Sequence, residues 1–357
     1  MDPVDRLTWR GTPLTRRTIL VGLGAVGAFL AVDFGLVAYT SRAGTLTRQT
    51  FLDGFERVFG PHPGFRKNHA KGVAVVGYFK SNGNGAILSR AAVFAPGEMP
   101  VAGRFSLAGG NPTVADTPGA ARGLGLAIGF PGTEQWRTAM LNTPVFPDNS
   151  AQGFYDRLLA SKTVAGTGKP DPKVMADFLS RHPETAAAMV LIKKSPPTPG
   201  FADSTFSGLN TFHLVKNDGT RTPVRWSFVP HQTALPPKSD DPNALFDALV
   251  RQLKTAPLQW HLQLTVGETT DPIDPTLPWP AERRVIDAGI LTLTEAQTEA
   301  AGNARDINFD PLVLPDGIEP SDDPLLSARS AVYAGSYRAR TGEPKTASAV
   351  QVQDVNP

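Results

Sequence analysis

Two short arrays hold the residues best suited to chemistry. Toward the C-terminus, Arg329 precedes Tyr333 by four positions, a spacing that puts guanidinium and phenol on one helix face. A phenol ligates metal poorly until it loses its proton, and a guanidinium beside the oxygen stabilises the phenolate. An anionic oxygen ligand of this kind suits ferric haem iron, which makes Tyr333 the candidate axial ligand. Toward the N-terminus stands Arg66-Lys67-Asn68-His69-Ala70-Lys71-Gly72. A neutral imidazole at His69 could take a proton and return it. Singly, an Arg-x-x-x-Tyr array also describes an ordinary helix-face pair, and a histidine after a polar run an ordinary surface histidine. Together the two suggest a haem held between Tyr333 and His69.

Further motifs lie between and beyond these arrays. His69-Ala70-Lys71-Gly72 is followed by an apolar run over 73–79, then Gly103-Arg104-Phe105-Ser106, Arg122-Gly123 and Asn142-Thr143-Pro144-Val145-Phe146. Phe178-Leu-Ser-Arg-His-Pro-Glu184, Asn210-Thr-Phe-His-Leu-Val215, Ile307-Asn-Phe-Asp-Pro311, Pro315-Asp-Gly-Ile-Glu-Pro320 and Arg338-Ala-Arg340 come later. In order and approximate spacing these resemble the catalase family over about residues 50–343. The closest likeness within it is to the short, catalase-related peroxidases. Long catalases carry an N-terminal arm and a helical region beyond the haem tyrosine for which this chain has no room. A monomer or small homo-oligomer is therefore expected, not an interwoven tetramer.

The resemblance implies an α+β fold, a catalase-type antiparallel barrel of eight strands with helices completing a haem pocket at its outer or mouth region. It also implies roles. His69 becomes the residue that moves a proton between the oxygens of a peroxide, and Ser106 matches the serine that fixes its tautomer through the other ring nitrogen. Arg66, Arg104 and Arg340 match positions around the haem propionates, and Phe146 an aromatic above the haem. Two departures bear on activity. Leu141 stands where long catalases have an asparagine that assists the distal histidine, and Asn68 stands where an apolar residue is usual, so Asn68 is a candidate substitute. Losing a peroxide-orienting donor weakens dismutation, which needs a second peroxide, more than it weakens haem binding. The expected function is a haem b peroxidase that reduces hydrogen peroxide or organic peroxides with small organic donors. A true catalase, a non-catalytic membrane-tethered haem-binding protein and a fatty-hydroperoxide-rearranging enzyme are the alternatives.

The composition supports one large domain: 357 residues, 41% of them hydrophobic, suffice for a single core. A net charge of +2, spread without a basic block, argues against nucleic-acid binding. The chain has no cysteine, which excludes disulfides, thiolate ligands and thiolate catalysis.

The first forty residues carry a membrane signal. Arg16 and Arg17 precede an apolar stretch over residues 18–40, interrupted by Asp33 and several glycines. As a helix these residues would reach about 35 Å, enough for a hydrocarbon core of about 30 Å. The arginine pair also fits a twin-arginine export signal, whose machinery passes folded, cofactor-loaded proteins. A single-pass anchor is the favoured reading. Arg10, Arg16 and Arg17 would hold the N-terminus in the cytoplasm, so that the haem domain faces the periplasm. Gly22-x-Gly24-x-x-Gly27 has dinucleotide-loop letters, but it lies inside this stretch with no strand before it. The domain reading is a stub and anchor over 1–45, a haem domain over 46–345 and a flexible tail over 346–357.

The elements that must position the site follow from patterning. Phe51, Phe55 and Phe59 recur at helical spacing within a helix expected over 47–60. Strands are expected from 72 to about 130, including a hairpin in which 73–79 and 86–94 flank the turn at 81–85. Further strands are expected at 210–215, 224–228, 259–266 and 284–293, and helices at 171–181 and 242–254.

Overall fold

The computed structural model describes residues 46–237 and 241–356, with the backbone of 8–9 and 12–13, where Thr8–Trp9 pairs antiparallel with Thr12–Pro13. The membrane reading of residues 18–40 lies outside the described residues, among which no helix is long and apolar enough to cross a membrane. Contacts divide the chain into Met1–Thr47 and Arg48–Pro357.

The second unit is built on a closed antiparallel barrel. Its strands are β1 (Gly72–Ser81), β2 (Gly97–Leu107), β3 (Arg122–Ile128), β4 (Trp136–Leu141), β5 (Phe206–Ser207), β6 (Phe212–Val215), β7 (Arg221–Pro230), β8 (Leu258–Val266), β9 (Val285–Gln297) and β10 (Ile318–Pro320). Pairing runs β8-β9-β1-β2-β3-β4-β5-β7, and β7 pairs with β8 to close a ring of eight. β6 extends β7 outside the ring and carries β10 on its other edge. Helices α1 (Arg48–Phe59), α2 (Ala151–Ala160), α3 (Pro172–Arg181), α4 (Pro183–Lys194), α5 (Ala244–Thr255) and α6 (Pro324–Gly342) complete the unit.

Strand alternation sorts the barrel wall into two faces. Val73 and Val75, Phe105 and Leu107, Leu124 and Leu126, Trp136 and Met140, and Trp260 and Leu262 all belong to one buried apolar cluster that fills the interior. Phe105 meets Trp260 at 5.8 Å and Phe206 at 5.6 Å between ring centroids. The alternate residues of the same strands, Ala74, Arg104, Ser106, Gly123 and Gly125, face outward, where Ala74 and Ala127 pack with Ala304 and Phe309 in a second small cluster.

Two expectations are corrected. The segment 86–94 is not a strand. It forms short 3-10 turns at Asn84–Ile87 and Ala92–Phe94, and β1 pairs instead with β2. Leu88, Ala91, Val93 and Phe94 bury their side chains in the barrel core, so the apolar run is satisfied by packing without a ladder. The residues after 345 are not a loose tail. Val350 and Val355 join the same core, and the hydroxyl of Thr298 accepts from the Val352 amide at 2.8 Å.

Candidate active site

Helix α6 carries both ends of the Arg-x-x-x-Tyr array. Asp323 caps it, accepting from the Leu325 amide at 2.9 Å, and Pro324 begins it with a preset φ. Asp323 also accepts from Asn210 Nδ2 at 2.7 Å, and Asn210 Oδ1 in turn accepts from Arg329 Nη1. Arg329 Nη2 donates to the Ala139 carbonyl at 3.0 Å. The terminal nitrogens of Arg329 are thus directed to Asn210 and β4, and among the described residues no hydrogen bond joins Arg329 to Tyr333. Tyr333 packs against the outward cluster of Ala74, Ala127, Ala304 and Phe309.

His69 sits three residues before β1 in the left-handed region, at φ 56°, which disfavours a residue with a side chain. Its surroundings hold it there. Asn68 Oδ1 accepts from the His69 amide at 3.0 Å, the Arg104 Nη1 group donates to the His69 carbonyl at 2.7 Å, and Nδ1 lies 3.0 Å from Ser106 Oγ. With Nδ1 engaged, Nε2 is the ring nitrogen left to handle protons. Burial, reinforced by Arg104, Arg329 and Arg66, pushes the imidazole pKa down to about 3, so the ring is neutral at ordinary pH. Asn68 also accepts from the Gly109 amide at 2.9 Å. Its carbonyl oxygen is therefore spent on bracing the loop, and only its amide nitrogen could take the place of the asparagine that Leu141 replaces.

His69, Asn68, Ser106, Arg66, Arg104, Phe146, Arg329, Tyr333 and Arg340 all line one cavity of about 610 Å³ on the outer face of the barrel, and Leu141 lines it too. Phe51, Phe55 and Phe59 from α1 supply another wall. Phe146 stacks on Phe154 of α2 at 6.3 Å and 14°. Sequence reasoning missed Phe154, which carries no motif of its own.

The arginines differ in what they hold. Arg104 forms a two-pronged ion pair with Glu299, with Nε at 2.7 Å and Nη2 at 2.9 Å, and also donates to the Ala70 carbonyl at 2.9 Å. Four of its five N–H groups are thus directed at protein acceptors. Arg66 reaches Glu299 at 3.4 Å and the carbonyls of Ala304 and Ile307 at 3.0 and 2.9 Å. Arg340 donates to the Ile307 carbonyl at 3.1 Å. Burial, with repulsion from Arg104 and Arg340, holds the Arg66 pKa well below its ordinary value, and burial with Arg104 pushes Arg340 down to about 10. Glu299 gives no signal in sequence, because its partners are brought to it only by the folded chain.

A haem fits these walls. Gly123 and Gly125 line the cavity floor on β3, where an added Cβ would lie 2.8 Å from Ser106 Oγ and 2.9 Å from the Phe309 ring. Among the described residues, Arg66, Lys67, Arg104, Arg157, Arg329 and Arg340 line the cavity and no aspartate or glutamate does. Aromatic and aliphatic side chains make up most of the remaining wall. An apolar slot lined by cations suits a flat apolar ring that carries carboxylates.

The chain is similar to known proteins over most of its length. A catalase family model matches residues 61–352. Over 320 residues the chain is 37% identical to a catalase-related peroxidase of Synechococcus elongatus, covering 88% of this chain and 94% of that protein. A catalase-related peroxidase of Mycolicibacterium paratuberculosis is 29% identical over 317 residues, covering 87% and 100%. The catalase of Sus scrofa is 26% identical over 357 residues, 64% of its length. A solved bacterial catalase shares the fold at a TM-score of 0.69 and 18% identity, matching 99% of this chain and 65% of its own. With the family model matching most of the chain, and a cavity that joins a tyrosine, a neutral histidine and an arginine-rich wall, the chain belongs to the catalase family.

Proposed function

We propose that the protein is a haem-dependent peroxidase that reduces hydrogen peroxide or organic peroxides at the expense of small organic donors. The carrying observation is the neutral His69 ring, tied through Nδ1 to Ser106, in one cavity with Tyr333 and with Leu141 where a polar helper would stand. When bound, haem supplies redox-active iron. His69 Nε2 takes a proton from the hydroperoxide and gives it to the departing oxygen. Tyr333 would ligate its iron, Arg66 and Arg340 would pair with its carboxylates, and Phe146 would pack against it. A chain without cysteine has no thiol for covalent attachment, which supports haem b. The names of the two catalase-related peroxidases support donor-dependent turnover over dismutation.

The apolar residues 18–40 behind Arg16 and Arg17 support a haem domain tethered to the outer side of the inner membrane, or exported after cleavage of the leader. Protease accessibility in spheroplasts tests this placement.

The test of function is an oxygen electrode on haem-loaded full-length chain given hydrogen peroxide with and without a phenolic donor. Peroxide loss that requires the donor and releases no oxygen is expected; Tyr333→Phe should abolish it and His69→Ala should lower it about a thousandfold. Rapid oxygen release without donor would make the protein a catalase, and inactivity of haem-replete wild type would leave a binding protein.

A further inference from the structure

Three contacts hold His69 in its left-handed conformation, and two of them come from near neighbours or from the adjacent strand register. The amide brace comes from Asn68, next in sequence, and Ser106 stands opposite Gly72 on β2. The third, from Arg104 Nη1 to the His69 carbonyl, depends on how the guanidinium is turned. Nothing on β2 sets that turn. Glu299, beyond the end of β9 and 195 positions from Arg104 in sequence, does so by gripping Nε and Nη2 together. The grip leaves Nη1 aimed at His69 and a second Nη2 hydrogen at Ala70. Gly72 is part of the same device, since a Cβ there would lie 2.4 Å from Arg104 Cζ.

We infer that Glu299 is a positioning residue for His69, acting through Arg104. The inference rests on His69 being the proton-handling residue of the proposed function. Glu299 is 5% exposed, and the neighbouring guanidiniums hold its carboxyl below the usual carboxylate range despite burial. It is the buried anion to which Arg66 and Arg104 both pair. Without it, Arg104 would face Arg66 and Arg340 with no counter-charge, and the geometry that favours the His69 carbonyl would be lost.

The test is a double-mutant cycle read by cyanide association with ferric, haem-loaded full-length chain, because hydrogen cyanide must lose its proton to a base beside the iron as it binds. Wild type, Glu299→Gln, His69→Ala and the double variant are compared. Glu299→Gln is expected to slow association per haem about tenfold, with haem stoichiometry and the tyrosinate-to-iron absorption unchanged. In the His69→Ala background, Glu299→Gln should slow it no further. Peroxide turnover should lose kcat with the donor KM unmoved. Slowing that multiplies in the double variant, or loss of haem at an unchanged rate per haem, would overturn the inference while leaving the role of His69 intact. An unchanged rate in His69→Ala would overturn both. Circular dichroism of the haem-free chain shows whether the barrel survives. If Glu299→Gln does not fold, Glu299→Asp keeps the charge and shortens the reach, so an intermediate rate is expected and a wild-type rate would refute the role.

Discussion

The inner and outer faces of strands β1 to β4 come from alternate residues of the same segments, yet they obey different rules. Inward, Val73, Phe105, Leu124 and Trp136 are large, apolar and fully buried. Outward, the neighbours are either very small, as at Gly123 and Gly125, or charged and polar, as at Arg104 and Ser106. One face is filled by apolar side chains and the other carries the cavity. A pleat of period two thus separates what holds the barrel together from what the barrel presents. Substitutions can be aimed at one face while sparing the other.

The largest effect is expected inside. Trp260→Ala removes a side chain that is wholly buried and donates from Nε1 to the Ser204 carbonyl at 3.1 Å. A loss of about 4 kcal/mol in a urea titration is expected, with the activity of the molecules that remain folded little changed. A loss of activity without a loss of stability would break the division between the faces. The mirror experiment is His69→Ala, for which turnover should drop about a thousandfold while the urea midpoint of the haem-free chain stays near wild type.

Gly123→Ala probes the floor of the outer face. A methyl group there would sit 2.8 Å from Ser106 Oγ and 3.0 Å from His69 Nδ1, so the imidazole must shift. About a hundredfold loss in kcat/KM for peroxide is expected, with the haem-free fold intact. Leu141→Asn tests the departure from long catalases in the opposite direction. Oxygen release without donor should rise about tenfold, measured at the electrode, and no rise would mean that Leu141 is not what restrains dismutation.

The last prediction concerns pH. His69 stays neutral in the folded chain until about pH 3, whereas the unfolded chain protonates it near the ordinary imidazole value of 6.5. The unfolded state therefore binds the extra proton first as pH falls. The contribution of this group to stability is whole above 6.5 and lost progressively between 6.5 and 3. Urea midpoints of haem-free wild type should fall through that window more steeply than those of His69→Ala. The acid limb of kcat/KM should likewise lie well below pH 6.

The site was legible in sequence wherever its members came as short arrays. His69, Ser106, Tyr333 and the arginines stood in motifs of two to seven residues, and all line the same cavity. Glu299 and Asn210 did not announce their roles, because each is defined by partners more than a hundred positions away. Phe51, Phe55 and Phe59 displayed their shared face through helical spacing, and the helix followed within a residue at each end. The run over 86–94 misled for the opposite reason. Continuous apolarity reports burial, and a connecting segment that fills a barrel core is as buried as a strand. Residues 346–357 misled through their polar letters, which hid Val350, Val352 and Val355 packing on the core.

Closure of the ring has a consequence in time. Seven of its eight seams are ladders of two or more residue pairs, but β4 and β5 meet through the single pair of Leu141 and Ser207. Trp226 bolts this seam from inside by donating from Nε1 to Thr138 Oγ1 at 3.0 Å, with Gly208 leaving the indole its space. A cylinder opens where the fewest bonds must break. Amide hydrogens of residues 206–208 should therefore exchange with solvent well ahead of those in β2, and Leu141 carries this breathing seam directly to the cavity wall.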